Sequence, residues 1–448
     1  MRDDRRDKEE IAAGVDRRNF MKLGAIAGAA MAVPTVASAG TKSSPKTFAA
    51  WTDKPYIHWS AHVSLYSAKT RSYLIKKGIN FTETTPYAGI AGAKDRWSKV
   101  IEPAMGYFGI PVLDLPDGTF ISDTSAIIRY LEEKHPEPAM QPADPVMRAL
   151  CWLIFNFGTE GMFLECQHYR WSFKESASFA ADDIGRALGD PADMAAIEKL
   201  GAGYQAMKLK RFPDEVGITK ETIPAIERSA MLVFKKLDLH FRYQPYILGG
   251  RPSVADSALM EVLHAHLGRD PYAAHIMKTT APALFRWTET MNWPGIPTSE
   301  LSQVPQEYLD PDNLPDELMD FLRLMCGNFG PQFEANANAY ESWLAEKPGR
   351  PEGTIVTNDP NTMNRQACGR AVYEMQGVTI KRDAWPDTVS MHQYVLEVVD
   401  AMSSADKKRW TKLMKSLGGE VFLEYRPSRP VVLQKDRKPY QIVLGPKV

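Results

Sequence analysis

Side chains that can carry a proton or stabilise a negative charge are concentrated between residues 60 and 67. The segment follows a short run of β-forming residues, 55–59, and its candidates are Ser60, His62, Ser64, Tyr66 and Ser67. A positioned hydroxyl group can hold a nucleophile in its anionic form by donating a hydrogen bond to it. The segment contains no cysteine, which argues against mixed-disulfide chemistry.

The residues around this segment indicate a β-α-β unit. Residues 68–77 are compatible with a helix that stops at Gly78, and residues 79–84 alternate like a strand. The stretch 86–104 contains several glycine and proline breakers, so we expect it to be irregular.

A hairpin and a helix should follow. Residues 110–115 read as a strand, a Pro-Asp-Gly turn comes next, and residues 119–121 return as its partner. Ser122 and Asp123 then open a predicted helix.

Two further regions follow this unit. From residue 145 to about 292 the apolar residues recur with a helical period. Beyond a proline-marked break, we expect helices near 316–344 and 391–417, separated by a stretch rich in Gly, Pro and Asn, and a strand at 420–425.

The composition limits the kind of protein this can be. A chain of 448 residues is expected to have two or three hydrophobic cores. Its 54 basic and 55 acidic residues give a net charge of -1, which provides no general field for attracting nucleic acid. None of the four cysteines forms a CxxC pair, so we expect no zinc or other metal site.

The first residues have the pattern of an export signal. Residues 16–22 read Asp-Arg-Arg-Asn-Phe-Met-Lys, as in twin-arginine signals. The apolar stretch 23–33 is shorter than the ~20 residues of a membrane-spanning helix, so no stable membrane anchor is expected. Ala-Ser-Ala at 37–39 suits a signal peptidase that cuts after Ala39. The sequence thus predicts a signal peptide over 1–39 and a periplasmic protein.

Two dipeptides in the hairpin region carry a family resemblance. Ile110-Pro111 is similar to the Val-Pro of soluble glutathione transferases, and Asp123-Thr124 stands where that family has an acidic residue followed by serine. Together with the order of the elements, they resemble the family's thioredoxin-like domain. The resemblance implies that Pro111 is cis and that Ile110, Pro111, Asp123 and Thr124 bind glutathione, the last two at a helix N-terminus.

A second motif lies far downstream. Residues 246–256 resemble the loop that leads into a capping box in the family's helical domain, formed here by Ser253 and Asp256. Asp256 is therefore expected to cap a helix rather than to catalyse. The part beyond Ser299 also looks like that of a longer-chained branch of the superfamily.

The resemblance sets the expected architecture. It implies a thioredoxin-like N-terminal domain, an all-helical glutathione transferase C-terminal domain and a mostly helical C-terminal extension. The expected boundaries are 1–39 for the signal peptide, 40–53 for a linker, 54–136 and 145–295 for the two domains, and 299–448 for the extension.

The resemblance also suggests roles at the site. In serine-type members the hydroxyl that stabilises the glutathione thiolate lies seven residues before an arginine of the first helix. Counting back from Arg71 selects Ser64, with the other polar residues of 60–67 as alternatives. The first helix of the second domain would line an electrophile pocket, for which the candidates are Trp152, Phe155, Tyr169 and Arg170. These residues could instead be core residues.

The resemblance suggests three candidate functions. The first is a transferase that conjugates glutathione, as co-substrate, to a small apolar electrophile. The second is a non-catalytic protein that binds a ligand or partner, and the third is a glutathione-dependent reductase, lyase or isomerase. A homodimer is implied by the resemblance only, and a long C-terminal region could cover its usual interface.

Overall fold

A computed structural model describes most of the chain after residue 55. The described residues are 56–87, 89–106, 108–190, 192–296, 300–354, 356, 358–359, 364–365, 367–433 and 442–446. The predicted signal peptide, its cleavage site and the 40–53 linker lie outside these residues.

The first domain is built on a four-stranded mixed sheet. Its strands are β1 (Tyr56–Trp59), β2 (Phe81–Thr84), β3 (Val112–Asp114) and β4 (Phe120–Ser122). They are ordered β2-β1-β3-β4, with β1 parallel to β2 and antiparallel to β3, and with β3 antiparallel to β4. The predicted β-α-β unit, hairpin and thioredoxin-like fold are confirmed.

Helix α1 (Leu65–Lys77) connects the parallel strands. Ser64 caps its N-terminus, and Gly78 ends it with a φ of 72°, a left-handed conformation that glycine adopts without steric cost. Eleven of its 13 residues are buried, so the helix lies inside the molecule.

The expectation that residues 86–104 are irregular is wrong. They include α2 (Ala93–Arg96), a π-helical turn (Trp97–Ile101) and most of α3 (Glu102–Met105). Pro103 stands in the first turn of α3, directly after the π-helical turn. Burial of Trp97, Ile101 and Met105 against one face of the sheet stabilises this helical run.

The opposite face of the sheet packs on α1 and α4 (Thr124–Lys134). The hydrophobic core formed there is continuous with that of the second domain. That domain is helical, and its helices are α5 (Pro145–Asn156), α6 (Phe163–Trp171), α7 (Lys174–Leu188), α8 (Met194–Arg211), α9 (Ile223–His240), α10 (Val254–Leu263), α11 (Pro271–Thr280) and α12 (Pro282–Thr290). Further π-helical turns lie at Phe157–Gly161 and Phe212–Val216.

Helix α10 begins with a buried capping box. The Asp256 carboxylate accepts hydrogen bonds from the backbone N–H of Ser253 at 2.9 Å and of Ile247 at 2.8 Å. The Ser253 hydroxyl accepts in turn from the Asp256 N–H. Burial raises the pKa of Asp256 to about 6. The role of this carboxylate in the fold is to hold the loop 247–253 against the helix.

The C-terminal extension mixes helices and short hairpins. It contains α13 (Asp316–Glu346), β5 (Asn358–Asp359), β6 (Asn364–Arg365), β7 (Arg370–Met375), β8 (Val378–Asp383), α14 (Asp387–Asp400), α15 (Ser404–Leu417), α16 (Val421–Glu424), β9 (Val431–Leu433) and β10 (Ile442–Leu444). The predicted helical region 391–417 is divided in two, because Ser403 caps a new helix.

The strand expected at 420–425 is instead the helical turn α16. Its residues follow Gly418, which ends α15 in a left-handed conformation. Phe422 is buried, with its ring 5.0 Å from that of Phe333 and 5.7 Å from that of Phe329. A short apolar run has no periodicity that separates a strand from a turn of helix, so packing decides the conformation.

The extension shares a hydrophobic core with the helical domain. Phe157, after α5, packs against Phe321 and Phe329 of α13, with ring centroids 6.0 and 5.9 Å apart. Asn156 donates a hydrogen bond to the carbonyl of Thr388 in α14. Within the described part of the chain, no helix is both long enough and apolar enough to cross a membrane.

Candidate functional site

The loop between β1 and α1 brings Ser64 to the N-terminus of a buried helix. The Ser64 side chain is half-buried, and its Oγ accepts a hydrogen bond from the backbone N–H of Ser67 at 3.2 Å. Because this oxygen acts as the acceptor, the hydroxyl hydrogen can point to another group. The Ser64 hydroxyl therefore lies at the positive end of the α1 helix dipole, and both can stabilise a negative charge there.

Ser60, one of the alternative hydroxyls, is fully buried. The Arg71 guanidinium lies 3.4 Å from its Oγ and donates to the carbonyl of Ala61 at 3.2 Å. Arg71 also makes a two-bond pair with Glu83, at 2.6 and 2.7 Å. The Arg71 guanidinium, with His58 Nδ1 3.5 Å from Glu83 Oε2, outweighs burial and lowers the pKa of Glu83.

The other two predicted ligand segments are also in the first domain. The Ile110–Pro111 peptide bond is cis, and it precedes β3. Asp123 has a φ of 75°, a conformation that non-glycine residues seldom adopt and that persists where the surroundings impose it. Its Oδ1 caps α4 by accepting from the Ala126 N–H at 2.9 Å.

The environment of Asp123 is largely buried. Burial raises the pKa of this carboxyl group, while the Ala126 N–H and the charge of Lys69 oppose the change. Thr124, the first residue of α4, is 7% exposed. A ligand at this helix end would thus meet backbone N–H groups, a hydroxyl and a carboxylate in a poorly hydrated place.

Lys69, one turn after Ser64, links the two domains. Its Nζ lies 2.7 Å from Glu261 Oε2 in α10, and both side chains are fully buried. The same nitrogen donates to Thr159 Oγ1 at 2.7 Å and lies 4.7 Å from the centre of the Phe155 ring. This pair fixes the distance between α1 and the helical domain.

The residues considered for an electrophile pocket are all buried. Trp152 is 4% and Tyr169 3% exposed, and Phe155 is completely covered. The Trp152 ring lies 5.2 Å from that of Tyr394 in α14, so the extension packs on this part of α5. In the structure these side chains are core residues.

Arg170 is also buried, at 3% exposure. It binds Asp270 through two hydrogen bonds of 2.7 and 3.0 Å. It also donates to the carbonyls of Ala265 and Val63, at 2.7 and 2.8 Å. Its guanidinium is thus engaged inside the protein.

Arg269 is a cationic group that sequence reasoning missed. It follows α10, pairs with Asp183 at 2.8 Å, and is adjacent in sequence to Asp270. Its Nη1 makes no hydrogen bond to any described residue. Desolvation and the charges of Arg71 and Arg269 lower the pKa of His62, in the Ser64 loop. No local sequence motif marks Arg269, because only the fold brings it near that loop.

The cysteines do not form a nucleophilic site. All four are buried, and burial raises the pKa of Cys151, Cys326 and Cys368 to about 12. A thiol must ionise to attack or to bind a metal. The described residues also contain no group of three or more His, Cys, Asp or Glu side chains placed to hold a metal ion.

Part of the first domain matches a known domain family. Residues 63–134 match the glutathione S-transferase N-terminal domain family. The sequence pattern of that domain is present here. The match begins just before Ser64 and ends with α4. The matched residues therefore include Ser64, the cis peptide and the Asp123 cap.

A curated relative gives a partial match. The maleylacetoacetate isomerase of Rattus norvegicus is 31% identical over 109 residues, which are 24% of this chain and 49% of that protein. The chain therefore matches about half the length of this relative.

Solved structures resemble the chain at low identity. A beta-etherase from Sphingobium sp. strain SYK-6 is 17% identical, with 56% of this chain and 98% of that chain covered and a TM-score of 0.36. A glutathione S-transferase from Methylobacterium radiotolerans, in complex with glutathione sulfonate, is 18% identical, with coverages of 59% and 99% and a TM-score of 0.32. A maleylpyruvate isomerase from Pseudomonas aeruginosa is 18% identical, with coverages of 52% and 89% and a TM-score of 0.26.

The Lys69–Glu261 pair gives a stability prediction. Lys69→Met should reduce the free energy of unfolding by about 3–5 kcal/mol, because it leaves a buried carboxylate without its cation. The double variant Lys69→Met/Glu261→Leu should recover much of that loss. Denaturant unfolding of both variants measures the two effects.

The matched control is Lys99→Met. Lys99 and Asp95 form an ion pair whose side chains are 70% and 71% exposed. Its loss should change stability by less than about 1 kcal/mol. Equal losses in the single Lys69 variant and the double variant would contradict the coupling of the pair.

Proposed function

We propose that the protein binds reduced glutathione in its first domain and uses the thiolate on a small-molecule electrophile. The observation that carries the proposal is Ser64 at the N-cap of α1, with its hydroxyl oxygen already accepting from Ser67 N–H. In the proposed complex this hydroxyl donates to the glutathione sulfur. The domain pattern over residues 63–134 supports this choice of ligand.

The chemical requirement is to ionise the thiol. A thiolate is the nucleophile, and it is favoured by a hydrogen-bond donor and by the positive end of a helix dipole. In a conjugation, the thiolate sulfur forms a bond to carbon of the electrophile, and a leaving group departs or a proton is taken up. Ser64 would stabilise the sulfur before that bond forms.

The rest of the peptide would be held by the other two segments. The N-terminal N–H groups of α4 and the Thr124 hydroxyl suit the γ-glutamyl carboxylate, and Asp123 suits the neighbouring ammonium group. The backbone at Ile110, before the cis bond, would pair with the cysteinyl part of the tripeptide.

An isomerase is the second candidate. It is favoured by Arg269, a partly exposed cation whose charge acts on His62 in the Ser64 loop and would attract a carboxylate on the substrate. The partial match to a maleylacetoacetate isomerase also supports it. In this reaction glutathione adds reversibly to a carbon–carbon double bond and is released after rotation, so it is not consumed.

One experiment distinguishes these functions. The protein is incubated with reduced glutathione and either an aryl halide or a cis-alkene dicarboxylate, and the products are separated as conjugate or trans isomer. Ser64→Ala should lower kcat by about 100-fold in either reaction, because the thiolate loses its donor. Arg269→Leu should reduce activity on the dicarboxylate only.

Each outcome has a distinct meaning. Conjugate alone supports the transferase, and isomer with unchanged glutathione supports the isomerase. No product from either substrate, with no thiolate absorbance from bound glutathione, would contradict both and favour a binding protein. Ser64→Ala with native activity would remove Ser64 from the mechanism.

We also propose that the chain is exported through the twin-arginine pathway and acts in the periplasm. The support is the Arg17-Arg18 motif, the apolar stretch and the Ala-Ser-Ala site in their proper order. Replacing both arginines by lysine should retain the protein in the cytoplasm with residues 1–39 attached. N-terminal sequencing of the exported form should begin at Gly40, and a mature form that retains the arginine pair would contradict the proposal.

A further inference from the structure

We propose that Arg170 is a positioning residue for Ser64. It would set the geometry of the β1–α1 loop from the helical domain and would not bind substrate. The inference rests on the proposed function only for the role of Ser64. The structural part, that Arg170 holds the loop, can be tested independently.

The contact that matters joins Arg170 Nη1 to the carbonyl of Val63 at 2.8 Å. This carbonyl belongs to the peptide unit that also contains the Ser64 N–H. A hydrogen bond to this carbonyl therefore fixes the peptide plane before Ser64, and with it the direction of the Ser64 side chain. The Ser64 N–H itself donates to Ala61 O at 3.1 Å, which closes a tight turn.

The loop is held from two sides by buried arginines. Arg71, in α1 of the first domain, donates to the carbonyl of Ala61. Arg170, in α6 of the helical domain, donates to the carbonyl two residues later. Only the second of these contacts makes the loop conformation depend on how the two domains are packed.

Arg170 is itself held rigidly. The paired hydrogen bonds to Asp270 and the bond to Ala265 O orient the guanidinium plane, and Asp270 is completely buried at the start of α11. A planar group that donates in three directions is specific to arginine. A lysine could keep the charge beside Asp270, but it could not reach all three acceptors in this arrangement.

The hydrogen bonds of the guanidinium also bear on the expectation that Arg170 lines an electrophile pocket. Asp270 neutralises its charge, and its three nitrogens all donate within the protein. The geometry therefore favours action through the loop over direct contact with a substrate.

The test compares Arg170→Lys with the control Lys76→Met in the full chain. Lys76 lies in α1, is buried as Arg170 is, and donates to the carbonyl of Gly295 in the segment after α12, at 3.1 Å. Its contact with the helical region is at the far end of α1 from Ser64. Each variant removes a contact between the first domain and a residue far away in sequence. Only Arg170→Lys removes a contact to the loop that contains Ser64.

Amide exchange, thiol ionisation and kinetics are measured on each protein. The first is amide hydrogen exchange over residues 60–68. The second is the pH at which the thiol of bound glutathione ionises, followed by thiolate absorbance, together with kcat and KM for glutathione.

Arg170→Lys should accelerate exchange in the loop by about tenfold or more, raise the pH of thiol ionisation and reduce kcat more than it changes KM. Lys76→Met should leave the loop and the thiol as in the native protein. Unchanged exchange and thiol ionisation in Arg170→Lys would overturn the inference, as would equal loop exchange in the two variants.

The readouts separate this inference from the proposed function. If the native protein binds no glutathione, the proposed function fails. The exchange measurement still decides whether Arg170 holds the loop.

Discussion

The buried cations of α1 are the constraint on which the arrangement of the domains depends. Lys69, Arg71, Lys76 and Lys77 all lie in one helix that is almost entirely enclosed. A buried charge needs a partner in a fixed place, because its desolvation otherwise costs several kcal/mol per ion. Lys69, Arg71 and Lys77 each pair with a carboxylate of a different element, so these three contacts set the position of the helix that Ser64 caps.

The extension adds a second constraint on the same region. Tyr394 of α14 packs on Trp152 and lies under Arg129 of α4, whose guanidinium is 4.4 Å from the ring centre. Arg129 also pairs with Glu397 at 2.9 Å. Helix α14 therefore covers surfaces of α4 and α5 next to the Asp123 cap.

The sequence predicted the parts of the fold that local rules determine. The β-α-β unit, the hairpin and the Ser253/Asp256 capping box all depend on residues close in sequence, although the helix after β1 begins at Leu65 and not at the predicted residue 68. The hairpin of β7 and β8 could also have been found, because buried and exposed residues alternate around Gln376-Gly377. Arg170 and Arg269 could not be assigned from sequence, since their partners lie far away along the chain.

Calorimetric titration of reduced glutathione into the mature protein, residues 40–448, tests the central claim most directly. The account predicts binding that is lost in Asp123→Ala, because the cap of α4 holds the γ-glutamyl group, and kept in Ser64→Ala, because that hydroxyl acts on the thiolate. Absence of binding by the native protein at millimolar glutathione would contradict the account. Binding that survives in Asp123→Ala would place the ligand elsewhere.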